Sequence, residues 1–216
     1  EQATTDILKE SDAWGKENKA IRLWARDASL WSNSDEAKWM GWLEIIDQML
    51  LTVEELNKFS AEINQEKFTD VVVLGMGGSS LCPEVLAKTF DAAPGFPRLS
   101  VLDSTDPEQI VQLENKINLA TTLFIVSSKS GSTLEPNIFK DYFFAKVKNL
   151  VGDNVGKNFI AITDPGSHLE ESAKNSGFRK IFYGVPSIGG RYSALSNFGM
   201  VPAVLMGIDL KRLLTN

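Results

Sequence analysis

The sequence contains 216 residues, with 28 acidic and 22 basic side chains and a formal net charge of -6 at neutral pH. This balance argues against a nucleic-acid groove, because a protein that follows a phosphate backbone needs clustered Lys and Arg. The apolar fraction of 43% is that of a folded chain with a sizeable core. No apolar stretch reaches the roughly 18 residues that a membrane span requires.

The sequence lacks the usual signals for export, disulfides and metals. Residues 1–10 contain no basic or apolar signal region, so we expect a cytoplasmic protein. The chain opens without an initiator methionine, and we expect it to be a piece of a longer polypeptide. Cys82 and His168 are the only cysteine and histidine, which leaves too few ligands for a disulfide framework or a structural zinc site. We predict that no metal is bound and that His168 is a surface residue near a helix start rather than a catalytic group.

The first 66 residues carry all five tryptophans and a helical rhythm. One apolar set recurs at spacings of three and four, typical of one helix face, and consists of Trp39, Trp42, Leu43, Ile46, Met49 and Leu50. Thr52 followed by Glu55 matches a capping box, which predicts the start of another helix. We therefore predict several helices in residues 1–66, with the tryptophans packed in a core rather than in an aromatic ligand cage.

From residue 70 the pattern changes to strands that alternate with helices. Nearly continuous apolar runs, as in buried strands, lie at 71–74, 99–102, 123–126, 159–162 and 180–182. Helix-length segments separate them at 81–90, 107–117, 134–150 and 167–176. Because parallel strands need such crossovers, we predict an α/β fold: a three-layer sandwich with a five-stranded parallel sheet over residues 67–216, preceded by the helical segment 1–66. Ligands of such sheets bind beyond the carboxyl ends of the strands.

Three loops of unusual composition follow predicted strand ends, and the first is residues 75–80, with the sequence GMGGSS. Its glycines let backbone N–H groups approach an anion at the start of the next helix, although a tight strand-to-helix turn explains them equally well. Ser80 stands where the dinucleotide fingerprint needs its third glycine, and no Gly-Lys-Ser/Thr follows. We therefore predict no nucleotide cofactor.

The second loop, residues 127–133, has the sequence SSKSGST and precedes a predicted helix. Five hydroxyls and the ammonium group of Lys129 at a helix N-terminus supply the donors that a phosphate dianion needs. The alternative is a solvated cluster of N-cap residues, for which one hydroxyl would suffice. Glu135 is expected to complement the helix dipole or pair with a lysine rather than act as a base.

The third loop, residues 187–193, has the sequence SIGGRYS. Two glycines let the backbone close on a substrate, and the guanidinium of Arg191 suits a phosphate or a developing oxyanion. A salt bridge on a helical turn is the alternative for Arg191. All three loops would lie at the same edge of one parallel sheet, which favours a shared binding site.

The segments 75–79, 128–135 and 189–193, in this order and spacing, resemble the sugar-isomerase (SIS) domain of the glucose-6-phosphate isomerase family. The Gly-Gly-Arg-Tyr-Ser motif is the most specific of the three. The resemblance runs from about residue 69 to the end, and the helical first third resembles the lead-in to that domain. Residues 187–196 are most similar to versions in bacterial proteins that fuse a transaldolase to the isomerase.

The resemblance implies a hexose 6-phosphate substrate, no cofactor and a homodimer with a shared active site. The residues that it assigns to substrate binding are Gly78, Ser79, Ser128, Lys129, Ser130, Ser132, Thr133 and Gly190. Arg191 would stabilise the negative charge of the enediolate while a proton moves between C2 and C1. The catalytic glutamate, ring-opening histidine and further lysine of the family lie beyond the arginine motif, so we expect the chain alone to be inactive.

The sequence also leaves two other functions open. A non-catalytic SIS module that senses phosphosugars would keep the serine-rich loop but would not need the arginine motif, so Arg191 favours the enzyme. A nucleotide-dependent oxidoreductase is the third possibility, and Ser80 argues against it because the glycine pattern is broken.

Overall fold

A computed structural model describes residues 2–216 and contains one sheet of five parallel strands. The strands are β1 (Asp70–Gly75), β2 (Arg98–Leu102), β3 (Thr122–Ser127), β4 (Phe159–Thr163) and β5 (Lys180–Tyr183). Their order across the sheet is β2-β1-β3-β4-β5, with every neighbouring pair parallel. All five predicted strands are therefore confirmed, together with the predicted α/β class.

Register brings the strand ends level with one another. Gly75 at the end of β1 pairs with Ser127 at the end of β3, and Thr163 at the end of β4 pairs with Tyr183 at the end of β5. The loops that follow these strands consequently start at one edge of the sheet, as the alternation of strands and helices predicts.

Ten α-helices lie within residues 2–216. The first four precede the sheet: α1 (Gln2–Lys16), α2 (Lys19–Trp24), α3 (Ile45–Leu50) and α4 (Val53–Gln65). The other six are α5 (Leu81–Thr89), α6 (Pro107–Glu114), α7 (Leu134–Val151), α8 (His168–Asn175), α9 (Asn197–Leu205) and α10 (Leu210–Thr215). The four predicted crossover helices correspond to α5–α8 and differ from them by at most three residues at their ends. No helix in this described part of the chain is both long and apolar enough to span a membrane.

The two faces of the sheet carry separate apolar clusters, which makes the fold a three-layer sandwich. On one face, α3, α4 and α9 pack on side chains such as Val71 and Ile125. On the other face, Phe143 of α7 stacks on Phe124 of β3, with 4.8 Å between their ring centroids. Phe124 in turn stacks on Phe159 of β4, with ring centroids 5.0 Å apart. Burial of apolar surface on both faces explains why the strands are nearly continuous apolar runs.

The prediction of one helix face from Trp39 to Leu50 is wrong. Short 3-10 segments at Glu36–Trp39 and Gly41–Glu44 precede α3. The Gly41 N–H donates to the Ser187 carbonyl oxygen at 3.0 Å, and Met40 forms an antiparallel bridge with Ile188. A Cβ at Gly41 would overlap the Ser187 hydroxyl. Contact with the distant loop therefore overrides the local helical period.

The tryptophans are not core residues, contrary to the sequence-based prediction. Trp14, Trp24, Trp31 and Trp39 are 43%, 65%, 53% and 46% exposed, and only Trp42 packs partly buried against the core. The helix α1 buries no side chain at all. Apolar spacing identifies a face that another element could cover, but nothing in residues 2–216 covers these four tryptophans.

The helix predicted to start after Thr52 is present, but its capping box does not form. The Thr52 hydroxyl donates to the Met49 carbonyl oxygen at 2.9 Å instead of accepting from the first turn of α4. Leu56, Phe59 and Ile63 of α4 share one apolar cluster with the sheet. The division of the chain at residues 66 and 67 stays a prediction.

Candidate functional site

The first loop lies against the end of β3. The Ser127 hydroxyl donates to the Ser79 carbonyl oxygen at 2.9 Å, and a Cβ added at Gly75 would lie 3.1 Å from both carbonyl oxygens, those of Ser127 and Ser79. Residues 77–79 form a single 3-10 turn directly before α5. The loop is therefore a tight strand-to-helix turn, and it also forms a wall at the carboxyl edge of the sheet.

The first and third loops are in backbone contact. A Cβ at Gly78 would overlap the carbonyl group of Gly190. The Ser193 hydroxyl lies 2.7 Å from the Gly190 carbonyl oxygen and 3.3 Å from that of Gly78. Only a glycine at residue 78 permits this approach, because any side chain would push the two loops apart. The structure therefore brings together Gly78, Ser79 and Gly190, as convergence of the loops predicts.

The second loop presents two kinds of hydroxyl. Ser128 is 2% exposed; its hydroxyl accepts from the Gly131 N–H at 3.2 Å and lies 3.3 Å from the Thr133 hydroxyl. Ser130 and Ser132 are exposed, with 3.1 Å between their hydroxyl oxygens. Thr133 is the N-cap of α7, but its side chain accepts no bond from the first turn. The N-terminal N–H groups of α7 are therefore not capped by this side chain, which leaves them for an anion.

Lys129 is engaged with protein groups. Its Nζ forms an ion pair with the carboxylate of Asp164 and donates to the Val185 carbonyl oxygen at 3.1 Å. An ammonium group has three donors, so one remains for a ligand. Asp164 was missed by the sequence analysis, although one signal could have identified it. It directly follows β4, at the same edge of the sheet as the three loops.

Arg191 lies in the 3-10 segment Gly190–Leu195 and is exposed. Its guanidinium forms no hydrogen bond or ion pair with any residue in 2–216, so the salt bridge considered from the sequence is absent in this part of the chain. Its neighbour Tyr192 stacks on Trp42 with ring centroids 6.1 Å apart. This contact fixes the arginine loop against the segment before α3 and leaves the guanidinium available to a ligand.

An aromatic cavity of about 260 Å³ adjoins the arginine loop. Its lining residues are Trp31, Glu36, Trp39, Met40, Trp42 and Tyr192. Bonds from the Ser32 hydroxyl and from backbone N–H groups lower the pKa of Glu36 to about 2. The Glu36 carboxylate is thus charged and already hydrogen-bonded, so it does not act as a base at neutral pH.

Three other residues singled out from the sequence have clear positions. Glu135 lies in the first turn of α7, where a carboxylate complements the helix dipole, and Lys129 pairs with Asp164 rather than with Glu135. His168 is an exposed residue at the start of α8, as predicted. The Cys82 thiol lies 3.5 Å from the Ala194 carbonyl oxygen, and burial raises its pKa.

The geometry defines an open parallel α/β fold in which the glycine loop, the hydroxyl-rich loop and the arginine loop meet at the carboxyl edge of the sheet. The family model for phosphoglucose isomerase matches residues 43–216, and the chain belongs to this family. This match contains all three loops. The similarity to versions fused to a transaldolase stays a prediction.

Individual relatives agree with the family match. A glucose-6-phosphate isomerase from Trichormus variabilis is 34% identical over 208 residues, covering 85% of this chain and 38% of that protein. One from Prochlorococcus marinus is 35% identical over 204 residues, covering 85% of this chain and 39% of that protein. The chain therefore spans about two fifths of the length of these curated relatives.

Two solved structures share the fold. A hypothetical protein from Thermus thermophilus has a TM-score of 0.82 and 28% identity, with 96% of this chain and 48% of that chain covered. A glucose-6-phosphate isomerase from Chlamydia trachomatis has a TM-score of 0.66 and 29% identity, with 90% of this chain and 35% of that chain covered. The three-layer fold is thus shared with a solved glucose-6-phosphate isomerase and with the Thermus protein.

Proposed function

We propose that the chain is the phosphate-binding part of a glucose-6-phosphate isomerase, which interconverts glucose 6-phosphate and fructose 6-phosphate through an enediolate. The observation that carries this proposal is the contact between the glycine loop and the arginine loop, beside a hydroxyl-rich helix N-terminus. The whole enzyme would serve glycolysis and gluconeogenesis in the cytoplasm, as a homodimer without metal or nucleotide cofactor.

Phosphate binding is assigned to residues 128–133 and the start of α7. The exposed hydroxyls of Ser130 and Ser132 and the N-terminal N–H groups of α7 would donate to the phosphate oxygens. Ser128 is buried and bonded within the loop, so its main contribution would be to hold the loop in shape. Lys129 would add its positive charge and its remaining donor.

Arg191 would act on the sugar rather than on the phosphate. A base removes the proton from C2 of glucose 6-phosphate, the electrons form the enediolate, and the proton returns to C1 to give fructose 6-phosphate. Negative charge develops on the oxygens during this step, and an unpaired guanidinium stabilises it. Gly78 and Gly190, whose backbones touch, would form the opposite wall beside Ser79.

The base is proposed to lie outside this chain, because the resemblance assigns none of its residues to that role. General acid–base catalysis contributes about 10²- to 10⁴-fold to a reaction. The 216-residue chain should therefore bind phosphosugars weakly and show almost no turnover in a coupled isomerase assay. Near-native turnover by this chain would contradict the assignment of the base.

The test of the function uses Arg191→Ala in the full-length parent protein, with Arg212→Ala as the matched control. Arg212 is another exposed arginine, located on α10 away from the three loops. Removing a group that stabilises charge in the transition state should lower kcat about 10²- to 10³-fold. The inhibition constant of 6-phosphogluconate should change much less, because ground-state binding rests on the phosphate loop.

Two other results would argue against an isomerase. Equal losses of turnover and of 6-phosphogluconate affinity in Arg191→Ala would favour the phosphosugar-sensing module. A wild-type parent that binds 6-phosphogluconate but does not isomerise fructose 6-phosphate would favour the same alternative.

A further inference from the structure

One ammonium group connects three strand-end loops. Lys129 follows β3, Asp164 follows β4 and Val185 follows β5, and the Lys129 Nζ contacts the carboxylate of Asp164 and the carbonyl oxygen of Val185. The Asp164 N–H in turn donates to the Lys129 carbonyl oxygen at 3.1 Å. The phosphate loop is therefore tied through Lys129 to the segment that leads into the arginine loop, and Asp164 holds the ammonium group that makes this contact.

The pair is largely enclosed, which gives it more influence than a surface ion pair. The Lys129 and Asp164 side chains are 21% and 20% exposed. Loss of one partner would leave the other charge poorly solvated, so the pair constrains the loops more strongly than surface charges do.

The second oxygen of Asp164 is not explained by folding. Asp164 Oδ1 is buried and accepts no hydrogen bond from any group in residues 2–216. An unsatisfied buried oxygen destabilises the fold. The cost points to a role for this carboxylate in the site. Its partner Lys129 also contacts Val185, so that role is to fix the relative position of the two loops.

We propose that Asp164 is a positioning residue that couples phosphate binding at residues 128–133 to the placement of Arg191. This inference rests on the proposed function and adds a residue to its site. Asp164 holds the ammonium group of Lys129, which belongs to the phosphate loop, where it donates to the Val185 carbonyl oxygen. A shift of the phosphate loop therefore carries the arginine loop with it, and a displacement of about 1 Å can cost up to 10²-fold in rate.

The main test is Asp164→Asn in the full-length parent, with Asp153→Asn as the matched control. Asp153 is exposed, and its substitution makes the same chemical change in the segment Gly152–Asn158. That segment leads into the amino end of β4, at the opposite edge of the sheet from the loops. We expect Asp164→Asn to lower kcat for fructose 6-phosphate about tenfold or more, with the KM changed less than about threefold. A loss of melting temperature with unchanged kcat would show a purely structural role and overturn the inference.

A double-mutant cycle with Arg191→Ala shows whether Asp164 acts through the arginine. If it does, Asp164→Asn lowers kcat much less in the Arg191→Ala background than in the wild type. Equal reductions in both backgrounds would mean that Asp164 acts independently of Arg191, and the inference would be wrong.

Gly184→Ala perturbs the same carboxylate without removing its charge. A Cβ at Gly184 would overlap Asp164 Oδ1, and Phe198 Cε2 lies 2.8 Å away. The variant should reproduce the effect of Asp164→Asn on kcat if the position of the carboxylate matters. It also keeps the inference testable if Asp164→Asn fails to fold.

A readout that does not need turnover separates this inference from the proposed function. Millimolar inorganic phosphate should slow amide hydrogen exchange in residues 185–195 of the wild-type parent and of Asp153→Asn. That protection should be lost in Asp164→Asn and in Gly184→Ala. Protection without isomerase activity in the wild type would refute the isomerase but support the coupling. Protection that persists in Asp164→Asn, or its absence from the wild type, would refute the coupling.

Discussion

Gly131 links the phosphate loop to α8 and offers a sharp test of the loop geometry. Its φ of +70° lies in the left-handed region, and a Cβ there would lie 2.6 Å from the Leu169 nitrogen and 3.0 Å from the Ser167 Cβ. The obstacle is backbone of the first turn of α8, which cannot rotate away. Gly131→Ala must therefore strain its own backbone and also displace α8.

The size of this effect follows from two contributions. A left-handed conformation costs a residue with a Cβ about 1–2 kcal/mol, and forcing extra volume into a packed contact costs about 1–3 kcal/mol. Their sum is about 2–5 kcal/mol. Gly177→Ala is the matched control at the other end of α8, because its φ is +64° but a Cβ there meets nothing within 4 Å. The control loses only the first contribution, about 1–2 kcal/mol.

The assay is thermal and urea unfolding of the chain and of both alanine variants. The extra loss of about 1–3 kcal/mol in Gly131→Ala corresponds to a melting temperature roughly 2–12 °C below that of Gly177→Ala. Gly131→Ala should also weaken phosphate binding, since Ser128 accepts from the Gly131 N–H, whereas Gly177→Ala should not. Equal melting temperatures for the two variants would refute the close approach of the loop to α8.

Two further predictions follow from side-chain environments. Bonds from the Lys174 side chain, the Gly166 N–H and the Tyr183 hydroxyl lower the pKa of Glu170 to about 2 from its ordinary 4.5. The Glu170 carboxylate therefore stabilises the fold fully above pH 4.5, and this stabilisation is lost as the pH falls towards 2. Glu170→Gln should lower the urea midpoint at pH 7 and have a shrinking effect below pH 4.5, while the neighbouring control Glu171→Gln should have little effect at either pH. Burial raises the pKa of Cys82, so Ellman's reagent should modify the native chain at least about tenfold more slowly than the urea-unfolded chain, and equal rates would contradict its burial.

The strands and crossover helices could be predicted because their signals are local. Strands buried on both faces, such as β1 and β3, are apolar at nearly every residue. Helix starts are marked by capping side chains: Asp106 accepts from the Glu108 N–H at 2.8 Å, and Ser167 accepts from the Glu170 N–H at 3.1 Å. The meeting of the three loops also follows from topology alone, because the carboxyl ends of parallel strands share one edge.

The tryptophan segment shows where local signals fail. Its spacing of three and four indicates an apolar face, but the same spacing occurs whether that face is covered or not. In the structure the helical period is broken at Gly41 by a bond to Ser187, a residue far away along the chain. Burial of Trp31 and Trp39 depends on which element packs against them, and no local pattern specifies that element.

The partners of the Lys129 ammonium group could not be predicted from local sequence either. Five hydroxyls and one ammonium group predict an anion site by composition. The structure commits two of the three ammonium donors to Asp164 and Val185, the first of which lies 35 residues away along the chain. Strand pairing between β3, β4 and β5 brings those acceptors to the lysine. The donors left for a phosphate are therefore set by the sheet order, and most of them belong to backbone and hydroxyl groups rather than to the lysine.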